Sequence, residues 1–296
     1  MKQKLKNLVA ERLTIDGMFE SRIKGVQLFK VTNAVPCAPA IYDPALIVIL
    51  NGKKEAILEG DRFVYDSQQY MCCVASLPVE AGTPEASVQD PLIGVYVSLD
   101  TNVMKELTIE MEDMIDIAPA SKSNVQPQSL LLSNWDEEFT EALYRLIQIS
   151  DNVTKSKVLG EGRLRELYYT LLKGECGSSI RKAFGVGNGI TRAIEHLSTN
   201  LDKNVTIDEL ASLVGMSRAV LHRKFKQATR MSPIQFMKSM RLNSAALKIA
   251  AGANVSEAAM EVGYVSSSQF SREFKRLYGQ SPKQWVQSKG LVEGVA

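Results

Sequence analysis

The sequence predicts an α+β protein, with a β-rich front part flanked by helices and an all-α back part. Two observations lead to this class. Short apolar segments separated by Gly, Pro and Asn fill residues 25–100, which is typical of strands. Two near-copies of one segment occupy residues 207–285, and each has the pattern of a helix, a tight turn and a helix. The 296 residues are long enough for two domains.

The front part begins with a predicted amphipathic helix over residues 1–20, with Leu5, Leu8, Val9 and Leu13 at helical spacing. The pattern then becomes strand-like, and Asn51-Gly52 is a strong hairpin signal. Short strands at roughly regular spacing predict a β-sandwich or a small barrel. The predicted strands cover residues 26–31, 46–50, 54–58, 62–65, 70–75 and 92–98.

Helical patterns return after Leu99. Asp100 is a good cap for a helix to Leu107, and residues 111–130 have the composition of a loop. Asn134 is the predicted cap of a helix over 135–149, whose first turn is acidic as the helix dipole favours. A second helix over 158–173 has one wide apolar face. That face is formed by Leu164, Leu167, Tyr168, Leu171 and Leu172. This helix pair either packs within the monomer or forms a dimer seam.

A glycine-rich stretch divides the chain. Residues 174–189 contain five glycines, a composition that favours a flexible connection. We therefore predict a regulatory or dimerisation domain over 1–178, a linker over 179–189 and a second domain over 190–290.

The repeated segment has the features of a DNA-binding helix-turn-helix. Gly215 and Gly263 permit the two turns, and the offset between the copies changes from 48 to 49 residues after these glycines. Each second helix carries an Arg and a Lys, as expected of a helix that enters the major groove. A long helix, capped by Ser232 and ended by Gly252, joins the two units. If both units enter successive grooves, their helices must lie about 34 Å apart.

The polar face of each second helix follows from its apolar residues. Leu221 and Phe225 point to the core of the first unit, and Phe270 and Phe274 to that of the second. The opposite face of the first helix carries Arg218, Ala219, His222, Arg223 and Lys226. The opposite face of the other carries Ser267, Ser268, Ser271, Arg272 and Lys275.

Charge is divided in the same way as the predicted domains. Residues 1–189 hold 20 Lys and Arg against 25 Asp and Glu, a net charge of −5. Residues 190–290 hold 15 against 7, a net charge of +8. A basic back part suggests that this part meets a polyanion.

Residues 190–290 resemble the DNA-binding domain of the AraC/XylS family of bacterial transcription regulators. The resemblance covers the tandem units, the connecting helix and a closing Ser-Pro-x-Gln-aromatic box at Ser232–Phe236 and Ser281–Trp285. The front part resembles the N-terminal domain of one branch of this family, a cupin-like barrel followed by helices. That resemblance rests on Tyr42-Asp-Pro44, Asn51-Gly-Lys53, Pro78-Val79 and Leu99-Asp100.

The resemblance implies a transcription regulator, more often an activator, with promoter DNA and RNA polymerase as partners. It implies that bases are read by Ala219, His222, Arg223, Ser267, Ser268, Ser271 and Arg272. Arg suits guanine because its planar fork matches O6 and N7 together. The expected phosphate contacts, which fix register, are Arg218, Lys224, Lys226, Lys275 and Arg276.

No catalytic role or cofactor is predicted for the front domain. Cupin-type enzymes bind metal through clustered histidines, and both His196 and His222 lie in the back part. The domain is instead predicted to sense a small molecule, with a pocket formed by Tyr42, Tyr65, Tyr70 and Tyr96. The alternatives are that these tyrosines fill a solid core and that the domain only makes a homodimer, with activity set by expression level.

The remaining sequence features are consistent with a cytoplasmic protein. No apolar run is long enough to span a bilayer, and the basic N-terminus lacks the apolar core of a secretory signal. The four cysteines, Cys37, Cys72, Cys73 and Cys176, lack zinc-site spacing and are expected to be reduced and buried. On a strand, Cys72 and Cys73 would point to opposite faces.

Overall fold

The computed structural model describes residues 1–114, 128–185 and 187–289. Within them, ten strands form two antiparallel sheets. The six-stranded sheet has the order β1-β2-β9-β4-β7-β10, and the four-stranded sheet has the order β3-β8-β5-β6. The strands are β1 Gly17–Glu20, β2 Val26–Val31, β3 Val35–Tyr42, β4 Ala45–Asn51, β5 Lys53–Leu58, β6 Asp61–Asp66, β7 Gln69–Cys73, β8 Leu77–Thr83, β9 Leu92–Ser98 and β10 Leu130–Asn134.

The α+β class is confirmed, but the sheets form a sandwich instead of a closed barrel. In the described residues no strand of one sheet is hydrogen-bonded to a strand of the other. Side chains from both sheets share one buried cluster, which includes Ile47, Met71, Ala56 and Leu77. The sandwich is therefore closed by packed side chains between two faces.

The hairpin predicted at Asn51-Gly52 is wrong. Gly52 does adopt the left-handed backbone of a tight turn, with φ +77°. However, β4 pairs with β7 and β9, whereas β5 pairs with β6 and β8. The turn therefore carries the chain from one sheet to the other. A Cβ on Gly52 would lie 3.0 Å from the Leu92 Cα, so the close approach of β9 also favours glycine.

In the described part of residues 1–185, five helices accompany the sheets: α1 Lys2–Arg12, α2 Thr101–Met114, α3 Glu137–Ile149, α4 Val153–Lys173 and α5 Gly177–Phe184. The predicted N-terminal helix is too long, because α1 ends at Arg12 and β1 follows. Asp136, not Asn134, caps α3 by accepting from the Phe139 amide, and Asn134 ends β10. The predicted loop over 111–130 falls mostly outside the described residues.

Helices α3 and α4 pack on the six-stranded sheet of the same chain. Tyr70 of β7 stacks on Phe139 with ring centroids 4.3 Å apart. The Tyr168 hydroxyl donates to the Ser98 carbonyl at 2.7 Å, and Leu167 and Leu171 are fully buried. The apolar face of α4 therefore packs within the monomer and does not form a dimer seam.

The predicted linker is mostly helical. Helix α5 covers residues 179–184 of the glycine-rich stretch, and the next helix begins at Gly189. Gly177 lies against the Leu172 carbonyl so closely that a Cβ would not fit. The glycine at this position thus serves close packing, whereas the sequence pattern had suggested flexibility.

Over residues 187–289, seven helices form the C-terminal region: α6 Gly189–Thr199, α7 Ile207–Leu213, α8 Arg218–Thr229, α9 Pro233–Ala250, α10 Val255–Glu261, α11 Ser267–Tyr278 and α12 Pro282–Lys289. We call α7–α8 the first unit and α10–α11 the second unit. Helix α9, capped by Ser232 as predicted, separates them.

The C-terminal region docks on the sandwich at what we call the domain junction. The Asn243 side-chain amide, on α9, donates to the Ala40 carbonyl of β3 at 2.8 Å and to the Val79 carbonyl of β8 at 3.1 Å. The Ser129 amide donates to the Ala228 carbonyl of α8 at 3.1 Å. Asn243 is buried, so its two hydrogen bonds to the sandwich lie away from solvent.

Candidate nucleic-acid interface

The first unit is held by capping interactions at both of its helices. The Thr206 hydroxyl accepts from the Glu209 amide, and the Glu209 carboxylate accepts from the Thr206 amide, which together form the predicted capping box. Ser217 caps α8 by accepting from the Val220 amide. Gly215, with φ +65°, makes the turn between the helices.

The second unit repeats this arrangement with one extra residue in its turn. Asn254 caps α10, Ser266 caps α11, and Gly263 has φ +86°. The extra residue is accommodated at Val265, which is fully exposed, between the buried Tyr264 and the cap. The insertion therefore leaves the paired helices unchanged.

The structure places the predicted base-reading residues on outward faces. Ala219, His222 and Arg223 are exposed on α8, where Leu221 and Phe225 are fully buried on the other side. On α11, three of the four predicted residues are exposed and one is half-buried. These are Ser267, Ser268 and Arg272, with Ser271 half-buried. Their contacts with bases stay a prediction.

The predicted phosphate-contacting residues fall into two groups. Lys224, Lys226, Lys275 and Arg276 are exposed. Arg218, by contrast, pairs through two of its nitrogens with the Asp208 carboxylate of α7. This pair joins the two helices of the first unit, so Arg218 has a second role within the protein.

Helix α9 is tied to the segment between α6 and α7 and to the second unit, in part through a residue that sequence reasoning missed. The Arg241 guanidinium donates to the Leu201 carbonyl at 2.7 Å and to the Lys203 carbonyl at 2.8 Å. The same guanidinium lies beside Gly263, the turn of the second unit. Lys238 of α9 also pairs with Glu273 of α11 at 3.0 Å. These contacts make α9 a rigid connection.

The four tyrosines predicted to form a pocket lie in different places. The Tyr42 and Tyr65 hydroxyls are 3.2 Å apart between the sheets. Tyr70 lies in the other core, below α3, and Tyr96 is half-buried. The structure therefore does not bring all four around one space, and a ligand role for them stays a prediction.

A buried lysine beside these tyrosines was also missed. Lys54 is 7% exposed and pairs across the strands with Tyr65, so its side chain shares the inner face of the four-stranded sheet. Burial lowers the pKa of Lys54 to about 8. The Thr83 hydroxyl, on the neighbouring strand β8, is buried without a hydrogen-bond partner in the described residues. The core of this domain is thus more polar than the sequence pattern indicates.

The cysteines are less uniformly buried than predicted. Cys72 and Cys73 are fully buried and, as predicted, belong to cores on opposite faces of their sheet. Cys37 and Cys176 are half-buried, which corrects the expectation for those two. Burial raises the pKa of Cys73 to about 12, and burial together with Glu55 raises the pKa of Cys37. A raised pKa leaves little reactive thiolate near neutral pH.

Across residues 1–114, 128–185 and 187–289, no cluster of three or more His, Cys, Asp or Glu could hold a metal ion. Among the same residues, no helix is both long and apolar enough to cross a membrane.

Comparison with known proteins adds family information. A family model described as the N-terminus of AraC-type transcriptional regulators matches residues 22–179, more than half of the chain. A model described as a helix-turn-helix domain matches residues 210–288. The first match covers the sandwich from β2 onward together with α2 to α4, and the second covers most of both helix-turn-helix units.

Curated relatives match a part of the chain. The raffinose operon transcriptional regulatory protein RafR of Pediococcus pentosaceus is 28% identical over 150 residues, 50% of this chain and 54% of that protein. The chain thus spans about half the length of this relative. The regulatory protein SoxS of Salmonella typhimurium is 30% identical over 97 residues, 32% of this chain and 91% of that protein.

A solved structure extends the similarity to the whole fold. ToxT from Vibrio cholerae strain SCE256, in a crystal structure with a bound unsaturated fatty acid, has a TM-score of 0.55 at 13% sequence identity. The match covers 92% of this chain and 96% of that chain. At this identity the likeness concerns the arrangement of both regions.

Proposed function

This chain belongs to the family of AraC-type transcriptional regulators, and we propose that α8 and α11 read one promoter site together in a sequence-specific way. The observation that carries the proposal is the rigid joining of two exposed recognition helices. Lys238 pairs with α11, and Arg241 bonds the segment between α6 and α7 beside the turn of the second unit, so we infer that the spacing between the helices is set before DNA binds. Such preorganisation lowers the ordering cost of binding.

Within this proposal, Arg223 and Arg272 make the most discriminating contacts. They occupy equivalent positions of the repeat, and both are exposed. Neighbouring positions carry small side chains, such as Ala219 and Ser268, which offer few hydrogen bonds to bases. Direct readout therefore depends mainly on the two guanidinium groups, while Lys226 and Lys275 contact phosphates.

Footprinting of the full chain on genomic DNA tests the proposal. We expect protected sites with two contacted segments about one helical turn apart. Equal affinity for a protected site and its scrambled sequence would contradict specific reading. Contact at a single segment, with the other unit dispensable, would contradict joint reading by α8 and α11.

We further propose activation of transcription through RNA polymerase, on the basis of the family resemblance. In a purified transcription assay, the full chain should raise transcript yield from a template that contains a footprinted site. The same template with that site scrambled is the control. A lower yield would instead assign repression.

A second proposal concerns a small-molecule effector of the N-terminal domain. A cavity of about 500 Å³, a volume within the range of ligand sites, lies at the domain junction. Its lining includes two apolar residues and three cationic ones, which are Val74, Ile194, Arg181, Lys182 and Lys224. This lining fits an anionic organic molecule, whose binding would act on both domains at once.

Thermal-shift measurements separate the effector from the dimerisation alternative. Stabilisation by carboxylates, lost in Arg181→Gln and kept in the exposed control Lys155→Gln, would support an effector site at the junction. No response to any carboxylate, in a protein that sediments as a dimer, would support a dimerisation module controlled by expression level.

Homodimerisation is proposed through the outer side of α4. Val158 is 72% exposed and Leu159 is 44% exposed on this helix. Gly162 lies on the same exposed stretch, and a Cβ there would meet no atom within 4 Å. A mid-helix glycine is unfavourable unless close approach requires it, as a second copy of α4 would. Sedimentation of Val158→Glu as a monomer, with wild type a dimer, would support this.

A further inference from the structure

We propose that Arg230 is a DNA phosphate contact that Asp61 of the N-terminal domain occupies when the two regions are docked. The same guanidinium then serves either the domain junction or the DNA, and docking competes with DNA binding by the first unit. This inference rests on the proposed DNA-reading role of α8. Three observations support it: the backbone conformation of Arg230, the residues that Arg230 contacts, and its position beside the outward face of α8.

The backbone of Arg230 is the first observation. Arg230 ends α8 in the left-handed conformation, with φ +64°. The equivalent residue of the second unit, 49 positions later, is Gly279, with φ +75°. This conformation is disfavoured for residues with a Cβ, and glycine adopts it without strain. The first unit thus keeps a strained arginine where its own repeat has glycine.

The partners of Arg230 are the second observation. Its guanidinium pairs with the Asp61 carboxylate and lies 5.9 Å above the Phe63 ring, and both partners belong to β6. The side chains of Arg230 and Asp61 are 36% and 52% exposed, so the pair lies at the rim of the junction. Exposed ion pairs add little to stability. Stability therefore does not account for an arginine at this position.

The position of Arg230 is the third observation. It lines one shallow depression together with His222, Arg223 and Lys226, the outward residues of α8. Lys226, on the last turn of α8, and Arg230, at its C-cap, therefore face the same depression. A duplex read by His222 and Arg223 would place its phosphates beside these two cations.

Asp61 opposes the binding of DNA phosphates at Arg230 in two ways. Its carboxylate neutralises Arg230, and its negative charge lies next to a surface that is expected to meet a polyanion. Because the pair is exposed, a phosphate can replace the carboxylate without a large desolvation cost. Release of Asp61 then frees β6 from α8, which loosens the junction at the first unit.

The test measures the affinity of the full chain for a footprinted site over a series of salt concentrations. Asp61→Asn removes the competitor, and we expect affinity to rise about two- to fivefold, the range for an exposed ion pair. Arg230→Gly copies Gly279 and relieves the backbone. It should lower affinity and reduce the slope of log K against log salt by about 0.9, the value for one phosphate contact.

The double variant and two controls make the test specific. In the Arg230→Gly background, Asp61→Asn should no longer raise affinity, because the residue it releases is gone. Glu59→Gln removes the same charge from the same exposed turn, and it should change affinity less than Asp61→Asn. Arg230→Lys keeps the charge and should keep the slope.

Three outcomes would overturn the inference. These are an unchanged salt slope in Arg230→Gly, equal gains from Glu59→Gln and Asp61→Asn, and additive effects in the double variant. Failure of the wild type to prefer the site over scrambled DNA would instead refute the proposed function. Melting temperatures confirm that each variant is folded, and the charge-retaining Arg230→Lys provides the comparison if the glycine variant is unstable.

Discussion

The two helix-turn-helix units are built alike but have different neighbours. Both have capped helices, a left-handed glycine in the turn and a recognition helix of 12 residues. In the first unit, Leu221 and Phe225 belong to the cluster that also fills the sandwich. In the second unit, Phe270 and Phe274 belong to a separate cluster closed by Trp285. One repeat is thus continuous with the regulatory domain, and the other has its own core.

This difference shows how the two copies of a duplicated segment can respond unequally to changes in the N-terminal domain. Residues of α8 share a buried cluster with the sandwich, and Arg230 pairs with Asp61, whereas the buried residues of α11 belong to a separate cluster. We therefore expect the first unit to unfold, dock and respond together with the sandwich. The second unit has its own core and should unfold more independently of the sandwich, although Lys238 fixes its orientation on α9 in the folded protein.

Core truncation tests this comparison with the largest expected effect. Phe225→Ala and Phe274→Ala each remove a fully buried ring, which should cost about 3–5 kcal/mol of unfolding free energy. Hydrogen exchange should show that Phe274→Ala exposes α10 and α11 while the sandwich stays protected. Phe225→Ala should lower protection in both the first unit and the sandwich. Equal, global loss in both variants would remove the distinction between the units.

Replacing the buried Lys54 tests the difference between the two units by stabilising the sandwich, whereas core truncation at Phe225 destabilises it. Lys54→Met should stabilise the sandwich at pH 7 by on the order of 3 kcal/mol, since the folded pKa is lowered from 10.5 to about 8. The folded state disfavours the charged lysine, so this cost is complete below pH 8 and disappears as pH rises to 10.5. Urea unfolding at several pH values should show the gain shrinking over this window.

The region of the protein in which Lys54→Met raises the unfolding free energy distinguishes the two units. Stabilisation should appear in the sandwich and the first unit, and it should be absent from the second unit. Lys53→Met is the matched control, because Lys53 is exposed and pairs with Glu85 at 3.2 Å. A gain that is equal in Lys53→Met, or constant from pH 7 to pH 10.5, would contradict burial as the cause.

Substitution of Arg223 and of Arg272 allows the DNA binding of the two units to be compared. Arg223→Ala and Arg272→Ala should each cost about 1–3 kcal/mol on a specific site. The loss should fall on the base pair that each residue reads, in the segment bound by its own unit. Affinity measured on single-base variants of the site checks this. If either variant loses affinity equally on all sequences, that arginine contacts phosphate and not a base.

The smallest expected effect concerns the link between the second unit and the junction. The Tyr278 hydroxyl donates to Asn243 Oδ1 at 2.5 Å, while the amide of Asn243 binds the sandwich. Tyr278→Phe should cost about 1 kcal/mol. Hydrogen exchange in β3 and β8 should speed up slightly. Tyr264→Phe loses a hydroxyl that donates to Glu273 within the second unit, so it should leave those strands unchanged.

Much of the fold could be read from local patterns. The strands β2, β4, β5 and β9 were predicted to within a residue or two, because their apolar side chains recur with strand spacing. The strands β1, β3, β8 and β10 were missed. Pro39, Pro78 and Gly82 interrupt two of them, and their place is decided by pairing with each other and with neighbouring strands. The turn at Gly52 was recognised as a turn, but its two strands joined different sheets.

The residues of the candidate site likewise divide into those that local sequence patterns predict and those that they do not. Capping residues and the outward faces of α8 and α11 follow from local spacing, so they could be predicted. Arg230, Asn243 and Arg241 could not, because their partners lie 38 to 203 residues away in the chain. For Arg230 one signal was present, since the repeat aligns it with Gly279 at a helix end.

The sequence by itself determined the class of protein, the repeated unit and the face of each recognition helix, because periodicity and capping act within a few residues. The tertiary structure decided that the first unit shares its core with the sandwich, and that Arg230 pairs with Asp61. Such contacts join segments far apart in the chain, and their partners are fixed by packing and burial once the whole fold has formed.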